Sequence, residues 1–353
     1  GYQTWHVGKW HLGKEPYWPL HHGFDENVAG CDWGAPHGCG YFSPWGLPTM
    51  SDGPEGQYLT DRLTDEAIAL VRRRDPERPF FLNLWHYAVH TPIEAPAELV
   101  AKYEAKAARL KLDQVPALVE GEHFPTEAKA HLRVTRRVLQ SDPAYAAMVE
   151  NLDTNIGRLL AALAEEGILD DTVVIFTSDN GGLATSEGSP TCNAPLAEGK
   201  GWMYDGGTRE PWLIRYPERI RPGSRCAVPI TSPDLCPTLL DLAGLPARPE
   251  RHCDGLSITP LLDETGAFAD RPIFWHFPHY ANQGGTPGSS VRWGDWKLIE
   301  FFEDGRLELY NLVDDISECH NLAADQPAVV ARLKAALDAW RDEVEALYPA
   351  PNE

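Results

Sequence analysis

Apolar residues recur along the chain at two periods, and the two alternate through most of its length. Leu63, Ala67, Leu70 and Val71 fall at i, i+4, i+7 and i+8, one face of a helix over 61–74 with Thr60 as N-cap. Pro76 and Pro79 end that pattern, and the short apolar run 80–85 reads as a buried strand. Residues 98–143 are charged, helical in tendency and broken at Pro116 and Pro125, which predicts a surface excursion without chemistry. Met148, Leu152, Ile156, Leu159 and Leu163 then mark a helix over 144–166 stopped by Gly167. Val173–Thr177 follows as a buried parallel strand, and Trp212–Tyr216 is strand-like. Ser232-Pro233-Asp234 opens a further helix with a cap, a proline at N1 and an acid in the first turn. It runs through Leu239, Leu240 and Leu242 and stops at Gly244.

The period changes after about residue 268. Residues 272–277, 290–301 and 306–312 alternate like antiparallel strands, with Asp304-Gly305 as a hairpin turn. Val330, Leu333, Leu337, Trp340, Val344 and Leu347 form the stripe of a last helix. The pattern therefore predicts an α/β domain over 1–268 followed by a small α+β subdomain over 269–353. Two stretches have no period. Residues 29–57 are rich in Gly, Pro and rings (Trp33, Tyr41, Phe42, Trp45), suited either to wall a sugar cleft or to cover a sheet edge. Residues 184–199 are a second loop, rich in Ser, Gly and Pro.

Composition narrows the picture. No stretch among the 353 residues approaches the roughly 20 apolar residues of a membrane span. A formal charge of −21 argues against nucleic acid or an anionic membrane as partner. It leaves room for a local anion site, because a cluster of Lys9, Lys200 and histidines can focus a positive potential inside an acidic protein. Seven scattered cysteines, an odd number, do not make a disulfide framework, although one bridge such as Cys31 with Cys39 is open.

The candidate chemistry lies where strands end. In an extended segment Lys9 and His11 point to one side, presenting a fixed charge and a titratable ring to one small volume; a glycine-rich surface loop would carry the same residues. His86 and His90 follow the strand 80–85, and residues beyond the carboxyl ends of strands are where α/β sites gather. Asp179 and Asn180 end the strand 173–177 with hard oxygen ligands suited to Ca²⁺ or Mg²⁺, or with an Asx turn. Lys200, between two glycines, can approach a ligand closely. His276 and His279 stand before the glycine-rich stretch 281–290, as candidate substrate contacts or as surface histidines beside a strand.

Gly1-Tyr2-Gln3-Thr4-Trp5-His6-Val7-Gly8-Lys9-Trp10-His11-Leu12-Gly13 resembles the signature of the type I sulfatases at every fixed position. Further sulfatase-like strings are His22-Gly23-Phe24-Asp25, Ser178-Asp179-Asn180-Gly181 and the run from Gly199 to Pro211. Trp296-Lys297-Leu298-Ile299 and Glu308-Leu309-Tyr310-Asn311-Leu312 also look sulfatase-like and are read as packing. The resemblance implies an alkaline-phosphatase-like mixed sheet flanked by helices, and an arylsulfatase-like sulfuric ester hydrolase acting on a sulfated carbohydrate or an aryl sulfate. It further implies that Lys9 and Lys200 contact the sulfate, that His90 protonates the leaving oxygen, and that His11 assists the second step. Asp179 and Asn180 would ligate calcium, with magnesium the alternative, and Arg209 would pair with an acidic neighbour.

Sulfatases carry a formylglycine nucleophile in a Cys/Ser-x-Pro-x-Arg motif upstream of this signature, and an aspartate pair further upstream. Neither occurs in these residues, so the expectation is a sulfatase domain without its N-terminal segment, inactive alone, from a periplasmic or extracellular protein. The competing readings are a phosphonate monoester or phosphodiester hydrolase of the same superfamily, and a non-catalytic binder of sulfated glycans.

Overall fold

The computed structural model describes residues 1–36, 40–262 and 268–350. Cys39, half of the suggested bridge, lies outside the described residues, and Cys31 is a buried free thiol. The chain divides into two compact units, one of residues 1–117 and 139–172, the other of 118–138 and 173–353. No helix among the described residues is long and apolar enough to cross a membrane.

In the first unit, strand β1 (Gln3–Gly8) pairs in parallel with β2 (Glu26–Val28) on one side and β3 (Phe80–Trp85) on the other. Helix α1 (Leu59–Arg72) has Tyr58 as its N-cap, two residues before the expected position, so Thr60 is buried within its first turn rather than capping it. Helix α2 (Ala97–Leu110) follows β3. Helix α3 (Pro143–Glu165) runs as its stripe predicts, with the Asp142 carboxylate accepting from Tyr145 N at 3.0 Å as N-cap. The core joins Trp5 and Val7 of β1, Leu59, Leu63 and Leu70 of α1, and Met148 of α3. Tyr41 and Trp45 belong to it, at 0% and 2% exposure, so these rings of the aperiodic stretch are core rather than cleft wall.

The second unit takes a piece of the region expected to be a helical excursion. Residues 118–138 form an antiparallel hairpin of β4 (Leu118–His123) and β5 (Arg133–Arg137). The two strands carry Glu120, Glu122, Arg133, Arg136 and Arg137 and no alternation of apolar and polar residues, so no strand pattern marks them in the sequence. Strand β6 (Val174–Thr177) is half-buried rather than buried, and pairs antiparallel, not parallel, with β7 (Trp212–Arg215), because an apolar run does not state direction. Between them lies the one-turn helix α4 (Asp205–Thr208). Thr231 and Asp234 form a capping box ahead of α5 (Leu235–Leu242), and α6 (Thr259–Leu262) is a short turn.

The C-terminal part is an antiparallel meander of β8 (Ile273–Phe277), β9 (Gly288–Trp293), β10 (Trp296–Phe301) and β11 (Leu307–Asn311), in order β11-β10-β9-β8. The stretch 290–301, expected as one strand, is two strands folded back at Gly294, whose φ of 63° suits only a left-handed turn. Helix α7 (Pro327–Glu343) covers one face through Leu333 and Leu337, which pack with Val291, Leu298 and Leu309. It ends before Leu347, which is 79% exposed.

Candidate functional site

In the first unit the signature peptide is a strand that ends abruptly. At Gly8, φ is 106° and a Cβ would stand 1.9 Å from the Trp85 carbonyl oxygen, so no side chain fits. The close approach lets Lys9 N donate to that oxygen at 2.7 Å, and two residues on His11 N donates to Cys31 O at 2.9 Å. Lys9 is half-buried and His11 is exposed, with its ring laid against the backbone of Gly34. Beneath them sits His6, which the sequence reading passed over. It is fully buried, its Nδ1 lies 3.2 Å from Asn83 Nδ2, and its Nε2 lies 3.1 Å from Gly8 O. An amide nitrogen only donates and a carbonyl only accepts, so the proton is on Nε2. Burial pushes the His6 pKa down to about 4. The register that sets His6 opposite Asn83 was the signal that could have found it.

The two histidines after β3 are distinguishable. His86 has both ring nitrogens buried without a hydrogen-bond partner among the described residues, and burial lowers its pKa to about 4. His90 is anchored by its backbone, with its N donating to Tyr87 O at 2.9 Å and its carbonyl accepting from the Tyr41 hydroxyl at 2.8 Å. His90 Nδ1 lies 3.0 Å from Thr91 O, and a carbonyl only accepts, so Nδ1 carries a proton directed at that oxygen.

In the second unit, Asp179-Asn180 and Lys200 hang from one framework of glycine backbone. Gly181 N donates to Gly207 O at 3.2 Å, Gly206 N to Ala197 O at 2.7 Å, and Lys200 N to Gly182 O at 3.2 Å. A Cβ on Gly181 would lie 1.7 Å from Gly206 O, and one on Gly207 would lie 2.5 Å from Gly199 O. Only bare backbone packs this closely, which accounts for the glycine pairs at 181–182 and 206–207. The neighbouring Glu198 is clamped by Arg136 of β5 at 2.8 Å, and that guanidinium lies 5.2 Å over the ring of Trp202. The hairpin, expected to be without chemistry, thus braces the lysine loop. Arg209 pairs with Asp205 at 3.5 Å, an acidic neighbour as expected.

Asp179 is exposed, and Asn180 is half-buried with its Nδ2 donating to Gly181 O at 2.9 Å. Beyond the ends of β6 and β7, the charge of Asp179 reaches Glu210. Glu210 Oε1 is buried without a hydrogen-bond partner among the described residues, and burial followed by the charge of Asp179 raises its pKa to about 7. Oxygen donors around an uncompensated carboxyl suit a hard cation. The described residues contain no cluster of three or more His, Cys, Asp or Glu, so Asp179 and Asn180 would supply only part of a calcium shell.

The last two candidates part company. Both ring nitrogens of His276 are engaged, with Ser289 Oγ at 2.7 Å and Leu347 O at 2.8 Å, tying the C-terminal tail to the sheet. His279 is exposed beside the ring of Phe277. The segment that reaches the lysine loop is 281–285 just beyond, where Gln283 O accepts from Trp202 Nε1 at 3.2 Å.

A mixed α/β architecture with an antiparallel C-terminal sheet and a C-terminal helix is that of the alkaline-phosphatase-like fold class. The sulfatase family model matches residues 1–245, and that of the N-sulphoglucosamine sulphohydrolase C-terminal region matches 198–343. The chain belongs to the sulfatase family. It is 34% identical over 308 residues to a sulfatase of Formosa agariphila, covering 80% of this chain and 50% of that one. It is 29% identical to an N-acetylglucosamine-6-O-sulfatase of Bacteroides thetaiotaomicron, covering 91% of this chain and 66% of that one. The chain thus spans half to two thirds of the length of these relatives. Among solved structures, Ps i-CgsB superposes with a TM-score of 0.74 at 27% identity, over 96% of this chain and 71% of that one.

Proposed function

We propose that this chain is the major part of a sulfatase that hydrolyses sulfate esters of a carbohydrate. The observation that carries the reading is the glycine framework that hangs Asp179-Asn180 and Lys200 from shared backbone hydrogen bonds. It sets a cation-binding pair and an ammonium on one support, which suits binding of an anionic ester. The carbohydrate is suggested by the name of the N-acetylglucosamine-6-O-sulfatase relative.

Roles follow the matched strings. Lys9 and Lys200 hold the negative oxygens of the sulfate by fixed charge. His90 delivers a proton from Nε2 to the departing sugar oxygen, work that an imidazole performs near neutral pH. His11 moves the proton of the step that releases sulfate. Asp179 and Asn180 would hold calcium, which when bound adds positive charge at the ester. The nucleophile expected of the family is a formylglycine. Residues 1–268 act as the catalytic domain and 269–353 as a C-terminal subdomain. His279 remains a candidate substrate contact, whereas His276 is left with no ring nitrogen to offer one.

The test is an assay of the complete gene product that carries this sequence, with glucosamine 6-sulfate, p-nitrophenyl sulfate and p-nitrophenyl phosphate side by side. Sulfate release lost in Lys200→Ala supports the reading. Phosphate release exceeding sulfate release, or turnover of neither sulfate ester, overturns it.

A further inference from the structure

A string read from sequence as packing, Trp296-Lys297-Leu298-Ile299, places a lysine where lysines are rarely found. Lys297 lies in β10, a central strand of the meander, and is fully buried. Its ammonium meets Asp205 Oδ1 at 2.8 Å and Glu318 Oε1 at 3.0 Å. Glu318 also accepts from the backbone N of Asp205 at 2.6 Å. All three side chains are closed to solvent, since Asp205 and Glu318 show 4% and 0% side-chain exposure. A buried ion cluster contributes little net stability beside an apolar replacement, so its presence calls for another reason.

The reason is in what Asp205 begins. It is the first residue of α4, and the next two are Gly206 and Gly207, whose backbone holds Ala197 on one side and Gly181 on the other. Lys297 therefore grips the one turn on which both the Lys200 loop and the Asp179-Asn180 segment rest. The chain of contacts is short: the ion pair of Lys297 with Asp205, then backbone hydrogen bonds of Gly206 with Ala197, Gly207 with Gly181, and Gly182 with Lys200.

We propose that Lys297 is a positioning residue: through Asp205 and Glu318 it sets the Gly206-Gly207 turn, and so fixes Lys200 and the Asp179-Asn180 pair relative to each other. This rests on the sulfatase reading for the roles of Lys200 and Asp179. It assigns the C-terminal sheet a part in ordering the site without touching substrate. Misplacement of such groups by about 1 Å costs on the order of 10²-fold in rate.

Lys297→Met alone would strand two buried carboxylates and unfold the unit, so the informative variant is Lys297→Met with Glu318→Gln. It leaves the net charge of the cluster unchanged, and the amide oxygen introduced by Glu318→Gln can still accept from Asp205 N. The control is Arg341→Met, which removes another buried cation, paired with Glu300 at 2.6 Å, from α7 on the same sheet. The complete gene product is measured in all forms for melting temperature, kcat and KM on a sulfated sugar, and amide exchange.

The expected result is a folded double variant with kcat/KM down on the order of 10²-fold. Exchange at Gly181, Lys200, Gly206 and Gly207 should be at least about tenfold faster, as local opening without global loss. Arg341→Met, compared at equal distance below its melting temperature, should keep kcat/KM and those four exchange rates. Unchanged exchange in the double variant overturns the proposal, as does an equal loss in Arg341→Met. If the wild type hydrolyses no sulfate ester, the sulfatase reading fails, and exchange alone still decides whether Lys297 sets the turn.

Discussion

Protonation of His6 should undo the support beneath Lys9, and the size of the effect follows from its surroundings. Its neighbours are neutral: Asn83, the Gly8 carbonyl, and the rings of Trp10, Trp85 and Phe24. Burial outweighs the backbone hydrogen bonds that favour the charged ring, so the folded ring takes a proton only near pH 4, against 6.5 when unfolded. Below pH 6.5 the unfolded chain binds the proton that the folded one refuses. Stability is therefore full above that pH and falls as the pH drops toward 4. The depression amounts to about 3 kcal/mol, at about 1.4 kcal/mol for each pH unit. His6→Gln keeps a donor and an acceptor but cannot titrate. Urea unfolding of both forms from pH 7.5 to 4 separates His6 from the carboxylates, which contribute equally to the two curves. The wild-type curve should lose about 3 kcal/mol more than that of His6→Gln. Parallel curves would refute the claim that an uncompensated neutral imidazole supports the signature loop.

Gly8→Ala should destabilise the first unit by at least about 2 kcal/mol in the same experiment, since its Cβ has no space beside Trp85 O. Lys200→Ala should lower kcat/KM for a sulfate ester by roughly 10²–10³-fold, as loss of a charge that holds the anion would. His90→Ala should cost roughly 10²–10⁴-fold in rate. His86→Leu should cost less than about threefold and leave stability equal or higher, because its ring nitrogens are buried without partners among the described residues; the opposite ranking would make His86 the acid. Asp179→Ala should raise the calcium concentration for half-maximal activity after chelation by about tenfold or more, and an unchanged requirement would remove Asp179 from the metal site.

Local signals made much of the fold readable. The stripe of α3 with Asp142 ahead of it, the apolar run of β3 and the Asp304-Gly305 turn each encode their structure within a few residues. The direction of β6 was not readable, because its partner β7 lies across a long loop and an apolar run carries no sign. Nor was the hairpin 118–138, whose strands lack an alternating pattern and whose partners, Glu198 and Trp202, are some 60 residues away.

The candidate site divides along the same line. Lys9, His11, His90, Asp179, Asn180 and Lys200 stand out because the strings around them resemble those of sulfatases; glycines and strand ends alone leave a surface loop or an Asx turn as equal readings. A glycine is required wherever backbone approaches backbone, and that requirement is written locally. His6, Lys297 and His276 were decided by tertiary structure alone. Their roles come from burial beside residues such as Asn83, Asp205 and Leu347, and an imidazole or ammonium has no fixed meaning until its surroundings set its charge and its partners.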